Sequence, residues 1–158
     1  MIYPGLPQDQ RILAAIGKIA LRHGQLDYQL RMVVRTLANV TIAEARDATA
    51  LQGSSELRRR VRRHARRRLG ESEAMVRLDA LLERSRRASD RRNELLHGLW
   101  AQELDGRPLI QNKYQYFEPI PTLDNLEDLA TELFNVAQAL VESCLVGGFV
   151  HRALNADS

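Results

Sequence analysis

Three residues near the middle of the chain have types and spacing suited to phosphate chemistry. They lie in Asp90-Arg91-Arg92-Asn93-Glu94-Leu95-Leu96-His97-Gly98. Arginine offers a charged planar fork that fits phosphate oxygens. Histidine exchanges protons near neutral pH. Asn93 and His97 are four residues apart, so on a helix they stack along one edge. His97 falls at the end of the helix, where the backbone dipole favours a protonated imidazole. With Leu78 set at zero on a wheel of 100° per residue, Arg92 falls at about 320°, between Leu81 at about 300° and Leu96 at about 0°. Ser85, Ala88 and Ser89 precede Arg92 on that face, so the apolar stripe turns small and then polar. A guanidinium turned inward needs a carboxylate, a wet pocket or an anionic ligand. One alternative stays open: Arg92 pairs with a buried acid such as Asp27, and His97 merely caps its helix.

Helices must position these groups. The first is predicted from near Asp9 to about Asn39, with Ile16, Ile19, His23, Leu26, Leu30, Val33 and Leu37 on one face. A short second helix covers Ile42 to Leu51. Gly53-Ser54-Ser55 then breaks the chain, and a serine there can cap the third helix, about Glu56 to Leu69. That helix has a narrow stripe at Leu57, Val61, Ala65 and Leu69. The fourth runs from Ser72, a suitable N-cap, to His97, with Gly98 just past its end. Asp105-Gly106 between two strand-like runs predicts a small β-hairpin, closed by Pro119 and Pro121. The last helix starts near Thr122 or Asp124, where Asp124 and Glu127 fit a capping box. Its broad apolar face, from Leu126 through Leu133 and Phe134 to Leu145, makes it central, and Gly147-Gly148 ends or kinks it. The expected fold is all-α: one domain over residues 1 to 158, an antiparallel bundle of four to five helices with a β-hairpin insert.

The chain has 158 residues, 44% of them apolar and 27% charged, which suits one domain with one core. Its net charge is only +3, but 14 arginines face five acids from Leu57 to Arg92, whereas one arginine faces seven acids from Glu118 to Ser158. A basic region of this kind favours a polyanion, most often nucleic acid, or the acidic end of another subunit. No apolar run is expected to be long enough to span a membrane, and Met1 to Asp9 does not read as a signal peptide. One cysteine, Cys144, excludes an internal disulfide and a multi-cysteine zinc site. These features point to the cytosol.

Arg92-Asn93-Glu94-Leu95-Leu96-His97, late in a long helix of a bundle, resembles the R-x4–6-H signature of HEPN domains. The resemblance implies a metal-independent endoribonuclease, toxin or defence-like, acting as a homodimer whose two motifs face each other, with an antitoxin as a further partner. Arg92 would bind the scissile phosphate and His97 would act as acid or base while the ribose 2′-OH attacks. Asn93 would orient one or the other. No metal and no cofactor is implied. A non-catalytic RNA- or nucleotide-binding module and a charge-driven interaction protein are the alternative readings. Arg59-x4-His64 repeats the spacing without the asparagine.

Other candidates support this site or compete with it. His23 and Asp27, four apart on the first helix, could brace Arg92 or His97 from behind, or bond only to each other. Arg58, Arg59, Arg62, Arg63, Arg66 and Arg67 lie in a run that could track an RNA backbone, with binding that falls steeply with salt. No aromatic residue interrupts the run to stack bases. Trp100, Tyr114, Tyr116 and Phe117 fall on the hairpin, where such residues usually pack onto the bundle. Cys144 sits on an apolar face and reads as inert core.

Overall fold

The computed structural model describes residues 1–156. Helix α1 (Gln10–Ala38) starts at Asp9, whose carboxylate accepts from the Arg11 amide, and ends at Asn39 in the left-handed conformation. Its face buries Ile19, His23, Leu26, Leu30 and Leu37 as its periodicity predicts. A reciprocal capping box between Thr41 and Glu44 opens α2 (Ile42–Thr49). Helix α3 (Ser54–Leu69) buries the predicted Leu57, Val61, Ala65 and Leu69, together with Arg58. Its start differs from expectation. Gly53 is the N-cap, and no side chain caps the helix, because the Ser54 hydroxyl is turned toward α1.

Ser72 caps α4 (Glu73–His97) by accepting from the Met75 amide, as predicted. Its buried face drifts off the ideal wheel in the last turns, where Leu95 is 2% exposed and Leu96 is half-buried. The cause is the sheet packed beside this end: Trp100 Nε1 donates to the Leu95 carbonyl at 2.7 Å.

The hairpin is present, but as the centre of a larger sheet. Strands β1 (Ile2–Pro4), β2 (Trp100–Glu103), β3 (Pro108–Gln111) and β4 (Phe117–Pro119) form a four-stranded antiparallel sheet in that order. Pro119 thus lies in a strand, opposite Leu109. The N-terminal residues supply β1, pairing Tyr3 with Gln102. Nothing in their composition signals this, because a strand of three residues carries no readable alternation.

Helix α5 (Leu123–Cys144) is capped by Thr122, whose hydroxyl accepts from the Asn125 amide; the expected Asp124–Glu127 box does not form. Glu127 instead reaches Lys18 at 2.8 Å. Gly148 precedes the short α6 (Phe149–Leu154). α5 packs most extensively on α1, which also meets α2, α3 and α4. Leu126, Leu133 and Leu140 are fully buried in the core, but Phe134 and Leu145 are exposed. Segment Leu123–Leu154 contains an 18-residue window that is apolar enough by composition to cross a membrane, with mean hydropathy 1.5, which corrects the reading that no such stretch exists. Here it is interrupted after Cys144 and serves as the core helix of a bundle.

Candidate nucleic-acid site

The motif residues are arranged around Asn93. Arg92 is half-buried; its Nη1 donates to Asn93 Oδ1 at 2.9 Å, and its Nε is buried without a partner. Among the described residues it makes no ion pair. The alternative pairing with Asp27 does not occur, because Asp27 Oδ1 accepts from Ser54 Oγ at 2.6 Å. His97 is exposed and lines an open cavity of about 270 Å³ together with Asn93, Asn112, Lys113 and Gln115. Arg92 is not part of that lining. Within one chain, Asn93 thus meets both Arg92 and His97, while the arginine and the histidine do not share a cavity.

Gly98 sets the exit from α4. Its φ of −66° is open to any residue, so conformation does not require glycine there. Space does: an added Cβ would lie 2.6 Å from the Glu94 carbonyl oxygen and 3.0 Å from that of Gln111. The close approach brings the β3 end of the sheet against the helix tip and so walls the His97 cavity.

His23 and Asp27 do not brace Arg92 or His97 by hydrogen bonds. They belong to a polar cluster buried between α1, α3 and α4. His23 Nε2 lies 3.1 Å from Ser54 Oγ and 3.2 Å from Ser89 Oγ, and Nδ1 lies 3.9 Å from Asp27. Ser89 Oγ also accepts from Arg58 Nη1 at 3.1 Å. Burial pushes the His23 pKa below its ordinary value, Asp27 opposes this, and the Arg92 and Arg58 charges add to the depression.

The arginine run divides. Arg58 points inward and is 8% exposed. Burial pushes its pKa down, and Asp90 and Asp27 partly oppose this. Arg58, Arg59 and Arg62 line one cleft with Ser55, Arg86 and Asn93. Arg66 faces a different surface hollow beside Gly70 and Asp79, and Arg63 and Arg67 are exposed. His64, in mid-helix, has its pKa lowered by burial and by Arg63, Arg60 and Arg67.

Sequence reasoning missed the part of Ser54, Ser89 and Arg86 in this region, and the inward turn of Arg58. A signal existed. A stripe of spacing four is too narrow to seat a helix, and Ser54 and Arg58, each three residues before a stripe position, widen it. On α4, Ser89 and Asn93, four residues apart, line the same cleft.

The hairpin aromatics divide too. Trp100 packs against the core, but Tyr114 and Tyr116 are exposed on the β3–β4 turn, contrary to expectation. That turn is held by Asn112 Oδ1, which accepts from the amides of both tyrosines. Among the described residues no three His, Cys, Asp or Glu side chains converge as metal ligands. Cys144 is a half-buried free thiol whose pKa burial raises. Compared with known proteins, the chain matches no family model, no curated protein and no solved structure.

Proposed function

We propose that this protein binds RNA on its α3–α4 face and cuts it without a metal ion, as its resemblance to HEPN domains implies. One arrangement supports this reading: Asn93 shares an open cavity with His97 while its Oδ1 holds the guanidinium of Arg92, which no carboxylate occupies. A phosphate can therefore compete for Arg92 without breaking an ion pair.

In the proposed reaction Arg92 grips the scissile phosphate and Asn93 orients it. A neutral His97 takes the proton of the ribose 2′-OH, whose oxygen forms a bond to phosphorus. The bond from phosphorus to the 5′ oxygen breaks, and a protonated imidazole returns a proton to that oxygen. The products are a 2′,3′-cyclic phosphate and a 5′-OH. Since Arg92 lies outside the His97 cavity of its own chain, a homodimer with facing motifs would complete the site, each copy lending its arginine to the other's histidine.

The test is incubation of the purified protein with a panel of RNAs in the presence of chelator. Cyclic-phosphate ends should appear, and His97→Ala should slow cutting by roughly a hundredfold or more with its circular dichroism unchanged. Intact RNA across the panel refutes cleavage. The separation of Arg92 from the His97 cavity favours a second reading, an RNA- or nucleotide-binding module that does not cut. A gel shift without cleavage, lost in Arg92→Ala, would establish it.

A further inference from the structure

We propose that the cleft between the start of α3 and α4 is a preformed phosphate site, with Arg58 as its floor, which takes the phosphoryl group of a nucleotide or of an RNA strand. Only the identity of that carrier rests on the RNA reading.

Arg58 is 8% exposed as a residue, and its Nη1 donates to a neutral serine, Ser89. Two carboxylates lie near it without pairing directly: Asp27 accepts from the Ser54 hydroxyl, and Asp90, which also lines the cleft, accepts from Arg86 Nη1 at 2.6 Å. A largely buried guanidinium with no direct ion pair among the described residues is costly, and an entering anion relieves that cost. The cleft also contains the start of α3. Gly53 has no side chain with which to cap the helix, so its first amides have no side-chain acceptor and Ser55 stands exposed beside them. Such amides are anion donors.

The rim is basic as well. Arg59 is paired with Glu56 in an exposed ion pair of little strength, Arg62 is paired with half-buried Asp79, and Arg86 is held by both oxygens of Glu83 and by Asp90, so Arg59 is the rim cation most free to exchange. Asn93 completes the wall. Because its Oδ1 accepts from Arg92, its Nδ2 hydrogens remain to donate, and the same residue lines the His97 cavity next door. A phosphate seated on Arg58 therefore lies one asparagine away from the imidazole. The cleft volume of about 460 Å³ is that of a nucleotide-sized site.

The full chain should be titrated, by NMR or calorimetry at low salt, with inorganic phosphate, with AMP, and with a short RNA carrying 2′-O-methyl groups so that no cutting can occur. Arg58→Met and Ser55→Asp should each weaken binding by roughly tenfold or more. Ser55→Asp should melt no lower than the parent, because a carboxylate at a helix start is favourable. That variant therefore decides the matter even if Arg58→Met fails to fold. AMP binding without RNA binding supports a mononucleotide site, and RNA binding without AMP binding supports a strand site. Parent-like affinity in both cleft variants, or no binding of any of the three ligands, overturns the proposal. If the cleft binds phosphate but the parent never cuts RNA, this site stands and the cleavage reading alone falls.

Discussion

Acidification from about pH 7.5 to about pH 5.5 should destabilise the fold, and His23 should account for a measurable share of the loss. The imidazole is 7% exposed, flanked by two serine hydroxyls, and within the field of two arginines and one aspartate. Its folded pKa lies below the ordinary 6.5, burial being the largest cause. The unfolded chain therefore binds more protons than the folded one just below that value, so stability is complete above about pH 6.5 and falls as the pH falls. One such group costs at most about 1.4 kcal/mol between these two pH values, the limit in which the folded imidazole stays neutral throughout. Urea unfolding of the parent and of His23→Gln at both pH values isolates this share, since His64 shifts in the same direction and is common to both. The parent should lose more stability than the variant, by several tenths of a kcal/mol up to that limit. Equal losses would refute the reasoning. A parent that grows more stable on acidification would show that Asp27 outweighs burial and the two arginines.

Two further substitutions test the supports of the site. Ser54→Ala removes the hydroxyl that bonds Asp27 at 2.6 Å and His23 at 3.1 Å, and should cost about 1.5–2 kcal/mol by urea unfolding; a loss under about 0.5 kcal/mol would show that the cluster does not depend on it. Gly98→Ala places a methyl group 2.6 Å from the Glu94 carbonyl oxygen, so it should cost about 2 kcal/mol and shift the amide resonances of His97 and β3; an unperturbed spectrum would contradict the close approach.

The helical architecture was legible because each long helix carries its own signals. The face of α1 repeats from Ile19 to Leu37, and its ends are marked by Asp9 and Asn39. Ser72 likewise marks the start of α4. Periodicity and capping are local properties, so a single chain reveals them. The β1 strand was not legible, because its three residues gain their meaning only from the edge of β2.

The same division runs through the site. Sequence by itself determined that Arg92, Asn93 and His97 stand late in one helix, with Asn93 and His97 along one edge, and that basic charge gathers on α3 and α4. Tertiary structure decided which carboxylate meets which cation. Asp27 went to Ser54 and left both Arg92 and Arg58 without an ion pair among the described residues, while Arg58, one of eight arginines between positions 58 and 68, became the buried one. The physical reason is that spacing fixes the face of a helix on which a residue lies, but only the packing of α1 against α3 and α4 fixes what stands opposite that face and how much water remains there.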